Sequence, residues 1–313
     1  MKINKPDLSL TIAGVKFRNP VIAASGTFGY GREYEGLLDI SALGGICTKG
    51  MTITSRPGNP GIRLLETPSG LLNSIGLENP GIGTFIEKEL PELKKLGPVV
   101  IANLSGADKK EYVQGARLLD SSSVDMIELN ISCPNVKAGG MAFGLDPEEA
   151  GSLTREVRRA APNKPLMVKL SPNAPDLTAV ARSCVNSGAD ALSLVNTFLA
   201  MAIDIDRRKP VFDNTYAGLS GHCIRPIAVR MVWDLCEVAR VPVVGMGGIG
   251  SAADALEYLL AGAVAVQVGS GTFAHPPLMN EVINGIREYM RKKNISGVGM
   301  LSIRRIRRRP HKA

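Results

Sequence analysis

The stretch VPVVGMGGIGSAADALEYLLAGAVAVQVGSG, residues 241–271, decides the fold. It sets an apolar run, a glycine-rich turn, a helix-like segment and a second apolar run in series, and that second run again ends on glycine and serine. Short, near-continuous runs of valine and alanine suit strands buried on both faces, as in a parallel sheet. The same unit recurs upstream. Six more runs lie at 20–26 (PVIAASG), 44–50 (GGICTKG), 98–106 (PVVIANLSG), 125–132 (DMIELNIS), 165–171 (PLMVKLS) and 190–197 (DALSLVNT). Helical patterns such as PEEAGSLTREVRRAA and APDLTAVARSCVNSGA separate several of them. Eight runs with helical connections are the count of a (β/α)8 TIM barrel, which is α/β in class.

Ahead of the first run, residues 8–18 alternate in period 2 around Ala13-Gly14, the pattern of an N-terminal β-hairpin able to cap the bottom of the barrel. Two connections, 51–97 and 198–240, are too long for a simple helix. Such insertions tend to be functional, and these are expected over the C-terminal face. Residues 1–313 read as one barrel domain, with a basic tail at 303–313 expected to be disordered.

The formal net charge is +8, but six of the cations are Arg304, Arg305, Arg307, Arg308, Arg309 and Lys312, so the body carries about +2. A nearly neutral body argues against nucleic acid as the main partner. The best membrane candidate, ALEYLLAGAVAVQVG, is interrupted by Glu257 and Gln267 and is too short to span. No targeting segment stands out, and a soluble, cytoplasmic protein is expected. Five cysteines without C-x-x-C spacing and three separated histidines predict neither a disulfide framework nor a metal site.

In a TIM barrel the chemistry lies at the C-terminal ends of the strands. Those ends carry Ser25, Lys49, Asn103, Asn130 with Cys133, Lys169, Asn196 with Thr197, Gly247-Gly248 and Gly269-Ser270. Two cations and several neutral hydrogen-bonding groups suit a flat, anionic, heteroatom-rich ligand. They do not suit metal-assisted hydrolysis or glycosidase chemistry, which need His, Asp or Glu sets. The glycines after the last two runs predict a phosphate cradle. Residues 245–250 match G-x-G-x-x-G, yet they follow the seventh run and no acidic residue stands near 270, so a mononucleotide phosphate fits better than a dinucleotide. Cys47, Cys184 and Cys236 sit within strand or helix patterns as core residues, whereas Cys223 lies in a less regular segment. Cys133 stands just past a strand end, braced by Pro134, on a loop with Gly139 and Gly140, where a thiol can serve as a general base.

The motifs AASGTFGYG, TKGMT, NSIGLENPG, NISCPNVKAGG, VKLSPN, LVNT, GLSG, GMGGI and VGSGTF occur in this order across residues 8–290. Together they resemble the dihydroorotate dehydrogenases, and the form of NISCPNVKAGG is similar to class 1B, the NAD-linked type. The resemblance implies an FMN-binding catalytic subunit that oxidises (S)-dihydroorotate to orotate in pyrimidine (UMP) synthesis. It implies that Ser25, Lys49, Gly50, Asn103, Asn130 and Lys169 hold FMN, with Val195, Gly221, Gly247, Gly248, Gly269 and Ser270. It places the substrate against Lys49, the loop Asn73-Ser74-Ile75-Gly76-Leu77, Asn130, Asn135, Asn196 and Thr197. Cys133 would take the C5 proton while the C6 hydride passes to FMN. A partner subunit carrying FAD and a [2Fe–2S] cluster would pass electrons to NAD⁺, in a heterotetramer of two of each chain. Ala217, His222 and Cys223 depart from the family's pattern, as does the basic tail. The rival readings are a class 1A-like enzyme reducing fumarate, an FMN-dependent dihydrouridine synthase acting on tRNA, and a flavin-free aldolase or isomerase with Lys169 as Schiff base.

Overall fold

The computed structural model describes residues 5–132 and 140–303, with the backbone alone at 140–142. All eight apolar runs are strands of one closed parallel barrel. They are β1 (Val21–Ala23), β2 (Gly45–Cys47), β3 (Val99–Leu104), β4 (Met126–Asn130), β5 (Leu166–Lys169), β6 (Ala191–Leu194), β7 (Val243–Met246) and β8 (Ala265–Val268). Each pairs with the next in sequence, and β8 closes on β1 through Val266 with Val21 and Val268 with Ala23. Closure leaves no strand edge open to another chain.

Helices pack outside, their apolar stripes buried against the strands. They are α1 (Leu90–Leu96), α2 (Lys109–Asp120), α3 (Pro147–Ala160), α4 (Leu177–Asn186), α5 (Arg225–Val238), α6 (Ala252–Ala261) and α7 (Leu278–Lys292). Four of them begin at a side-chain cap. Asp108, Asp146, Asp176 and Ser251 each accept backbone N–H groups of the first turn, which would otherwise be orphaned. Between β1 and β2 there is no full helix, only single turns at Arg32–Tyr34 and Ile40–Ala42. Among the described residues no helix is long and apolar enough to cross a membrane.

The anticipated hairpin is present. Leu10–Ile12 pairs antiparallel with Val15–Phe17 through a turn in which Ala13 and Gly14 have φ of 48° and 84°. Two positive φ values in a two-residue turn match the twist of the flanking strands, and glycine adopts one of them without strain. The hairpin delivers Ile12 and Phe17 against one inward residue from every barrel strand: Ile22, Cys47, Ile101, Met126, Met167, Ala191, Val244 and Ala265. This apolar layer floors the barrel.

The two long insertions meet each other. Leu64–Thr67 and Gly70–Asn73 come from the first, Phe198–Ala200 and Ala217–Ser220 from the second. They form one four-stranded antiparallel sheet in the order 198–200, 217–220, 70–73, 64–67. Ala217, one of the residues that depart from the family's pattern, is buried in this sheet against Leu72 and Phe212.

If the hairpin floors the barrel, Phe17→Ala leaves a void that eight strands surround and that cannot collapse. It should cost about 3–5 kcal/mol, read by urea unfolding followed by circular dichroism. A loss below about 1 kcal/mol would show that the hairpin is an appendage rather than a floor.

Candidate active site

A cavity of about 230 Å³ opens where the barrel strands end and the four-stranded sheet overhangs them. Side chains alternate along a strand, so an inward residue in the floor is followed two positions on by another inward residue nearer the mouth. From Ile22 this gives Ala24, from Cys47 Lys49, from Met167 Lys169 and from Ala265 Gln267, all of which line the cavity. On β4 it gives Glu128 and then Asn130.

Most residues expected from the sequence converge here. Ser25, Lys49, Gly50, Asn130, Lys169, Val195, Asn196, Thr197, Gly247, Gly248, Gly269 and Ser270 line the cavity from the strand ends. Asn73, Ile75, Gly76 and Leu77 line it from the overhanging sheet and the loop after it. Three stand behind the lining. Asn103 is fully buried one layer lower, Ser74 turns its hydroxyl toward Asn59 and Asn214, and Gly221 packs on Gly70. Cys133 and Asn135 lie outside the described residues.

The glycine turn after β7 is built so that no side chain fits. Gly247 and Gly248 have φ of 124° and 67°, and a Cβ on Gly248 would sit 2.7 Å from Arg225 Cβ and 2.8 Å from the Gly221 carbonyl oxygen. Three contacts fix the turn. The Tyr258 hydroxyl donates to the Gly247 carbonyl at 2.6 Å, Asp254 accepts the Gly250 N–H at 2.9 Å, and Arg225 pairs with Asp254. Burial raises the Tyr258 phenol above its usual range, so it stays a donor. The turn runs directly into the capped N-terminus of α6, and the Gly269-Ser270 turn after β8 lies beside it at the mouth. Backbone N–H groups and a helix dipole on one rim suit an anion. His222, another departure from the family's pattern, packs beside Gly250 at the back of this turn.

Strand ends β4 and β6 are tied together around Ser132, the residue before Cys133. Asn130 Oδ1 accepts from the Ser132 N–H and hydroxyl, and Asn196 Nδ2 donates to Ser132 Oγ at 2.7 Å and to its carbonyl at 3.2 Å. The Tyr112 hydroxyl donates to the Asn130 carbonyl at 2.7 Å. The chain therefore enters the Cys133 segment from a rigid, buried anchor.

Beneath the cavity lies a group that strand-end reasoning passed over. Glu128 is fully buried in the barrel. Its Oε1 accepts from Asn103 Nδ2 at 2.7 Å and Cys47 Sγ at 3.2 Å, and its Oε2 from Gln267 Nε2 at 2.7 Å and Ser193 Oγ at 2.8 Å. Lys169 Nζ stands 3.9 Å from Oε1. The alternation that places Asn130 at the mouth places Glu128 on the same face one step lower, and that was the available signal.

The remaining cysteines separate by environment. Burial pushes the Cys47 thiol well above its usual range, with Glu128 beside it acting in the same direction. Burial pushes Cys184 up to about 11. Neither supplies thiolate at neutral pH. Cys223 is exposed on the turn His222–Ile224.

The dihydroorotate dehydrogenase family model matches residues 7–290. The chain belongs to the dihydroorotate dehydrogenase family. Its similarity runs nearly end to end with relatives named dihydroorotate dehydrogenase B (NAD(+)), catalytic subunit. The one from Petrotoga mobilis is 55% identical, over 93% of this chain and 96% of the relative. That from Caldicellulosiruptor bescii is 50% identical over 93% and 97%, and that from Geotalea daltonii 50% over 94% and 96%. The family's barrel agrees with the closed eight-stranded sheet found here.

In a Cys133→Ser background, thiol titration of the native protein near pH 8 should leave Cys47 and Cys184 unmodified. At that pH the Cys184 thiolate is roughly one part in a thousand. Both should react at once in denaturant. Fast native reaction of either would mean that its burial is not the source of its inertness.

Proposed function

We propose that this chain is the catalytic subunit of an NAD-linked dihydroorotate dehydrogenase, oxidising (S)-dihydroorotate to orotate in pyrimidine synthesis. The observation that carries the reading is the one cavity mouth on which Lys49, Lys169, Asn130, Asn196 and Thr197 converge beside a glycine turn built for an anion. The names of the relatives point the same way.

The residues present fit FMN, one per chain. Gly248 has no room for a Cβ against Arg225 and Gly221, so the turn presents bare backbone at the rim, and backbone N–H groups of that kind suit a phosphate. On β8, below the Gly269-Ser270 turn, Gln267 donates through Nε2 to Glu128, and its Oε1 is buried without a partner among the described residues. Such an orphaned acceptor suits a ring N–H of a ligand. When bound, FMN supplies a two-electron acceptor for the substrate hydride.

The chain's own residues supply the rest. Lys49 and Lys169 bring positive charge to the cavity, where an orotate-like carboxylate and the ring of the cofactor need it. Asn73, Asn130, Asn196 and Thr197 offer amides and a hydroxyl to the heteroatoms of a pyrimidine, and the loop Asn73 to Leu77 covers them from above. Cys133 takes the C5 proton, following directly on the buried Ser132 anchor. Asn135 completes the substrate set. Electrons leave through a second subunit carrying FAD and a [2Fe–2S] cluster, two copies of each chain forming the complex. The relatives' designation as catalytic subunits supports such a partner. Residues 1–313 form one FMN-binding domain with an accessory tail at 303–313, and the enzyme works in the cytoplasm.

The test is an anaerobic visible spectrum of the purified chain before and after dihydroorotate. A yellow protein that bleaches is expected. A colourless chain that does not take up FMN would overturn the reading, and a yellow chain that bleaches only with a reduced RNA base would move it to another flavin barrel. Fumarate turnover by the chain alone would displace the NAD-linked assignment. Cys133→Ser should keep the flavin yet slow bleaching by about 10²–10⁴-fold at neutral pH. Near-normal bleaching would remove Cys133 from the role of base.

A further inference from the structure

We propose that Glu128 holds Lys169 in its ammonium form at the cavity floor, so that one buried carboxylate sets the charge a bound flavin meets. The inference rests on the FMN reading above and goes beyond it to a positioning residue outside the cavity.

The donor set around Glu128 is one-sided. Asn103, Gln267, Ser193 and Cys47 all donate to it, and they reach it from β3, β8, β6 and β2. A carboxylate that only accepts is the partner such a set requires. Lys169 is itself 5% exposed, and among the described residues its acidic neighbour is Glu128, at 3.9 Å. Among the described residues the other titratable groups facing this space are the Cys47 thiol, which burial keeps protonated, and Lys49, a second cation on the same cavity. Desolvation disfavours the charged form of a buried lysine, and a nearby carboxylate restores it. Lys169 lines the cavity while Glu128 lies behind it, so the positive end of the pair faces the ligand. An anionic flavin ring gains from that orientation only while the lysine keeps its proton.

Glu128→Gln removes the carboxylate and separates the two possibilities. At high pH Lys169 should lose its proton and the ring its cation. At low pH Lys169 should be protonated with nothing behind it, and the ring should meet more positive charge than in the wild type. Sulfite reports this directly, because it donates its lone pair to oxidised flavin and leaves the ring anionic. In the FMN-loaded chain, Glu128→Gln is expected to bind sulfite about 10-fold more weakly than the wild type near pH 9. The deficit should shrink and then reverse toward about pH 6, while Glu128→Asp stays within about 3-fold throughout. In a Lys169→Arg background, where the cation keeps its proton, the pH-dependent part should vanish.

An unchanged affinity ratio at all pH values, a deficit that does not vary with pH, or the same variation in the Lys169→Arg background would each overturn the proposal. If Glu128→Gln does not fold or load FMN, the wild type decides. Lysine-labelled NMR, with Lys169 assigned by its Arg variant, should show the Lys169 side chain charged through about pH 9. A neutral Lys169 there would sink the idea. Failure of the wild type to bind FMN would instead count against the reading beneath it.

Discussion

A carboxylate at the centre of a closed barrel is tolerable only because other strands turn donors and a cation toward it. Glu128 has no water to solvate it, and an unpaired buried charge would drive its own neutralisation or unfold the site. The solution adopted is geometric. Closure sets the β3, β5, β6 and β8 side chains around one point, the period-2 alternation puts a polar residue of each at the same height, and the Cys47 thiol of β2 reaches the same carboxylate from the floor. That polar layer fixes much above it. Asn103, committed to Glu128 through its Nδ2, presents Oδ1 to Asn130, and Gln267, committed through Nε2, keeps an oxygen that has no partner among the described residues. The barrel interior is thus stratified: an apolar floor sealed by the hairpin, a polar layer around one anion, and a mouth whose amides are oriented from below.

The mouth applies the opposite electrostatic logic on its rim. There the anion is expected from outside, and the protein offers N–H groups, a helix end and tight backbone rather than side chains. The hydroxyl of Tyr258 and the carboxylate of Asp254 hold that turn from behind without entering the cavity. Positive φ at Gly247 and Gly248 is what lets the turn keep bare backbone at the rim, a conformation glycine adopts readily.

The eight strands were legible because a parallel strand buried on both faces is written in contiguous apolar residues, and every one of the eight runs became a barrel strand. The cavity residues were legible for the same reason, since a strand end locates itself once the strand is known. Glu128 was not. Reading 125–132 as one apolar run hides a carboxylate whose partners lie on other strands, brought to it only by closure. Ser193 and Gln267 escaped likewise, each looking like an incidental polar residue in its own run. The four-stranded roof was hidden too. NSIGLENPG and GLSG marked functional loops, but neither segment carries an alternation strong enough to name its pairing partner. Ser74 was included on motif alone, and its burial against Asn59 and Asn214 supports the loop rather than the cavity surface.

That roof has a consequence for how the molecule assembles. Asn73 donates to the Gly218 carbonyl across 145 positions of chain, and the two central strands of the roof pair over the same separation. Contacts so remote in sequence form only after the intervening strands have brought the insertions near each other. All four roof strands precede β7 and β8 in the chain, so during synthesis the roof segments are available before the barrel can close on β1. The glycine turns that follow those last two strands complete the rim, and the cavity is therefore the part of the protein that matures last.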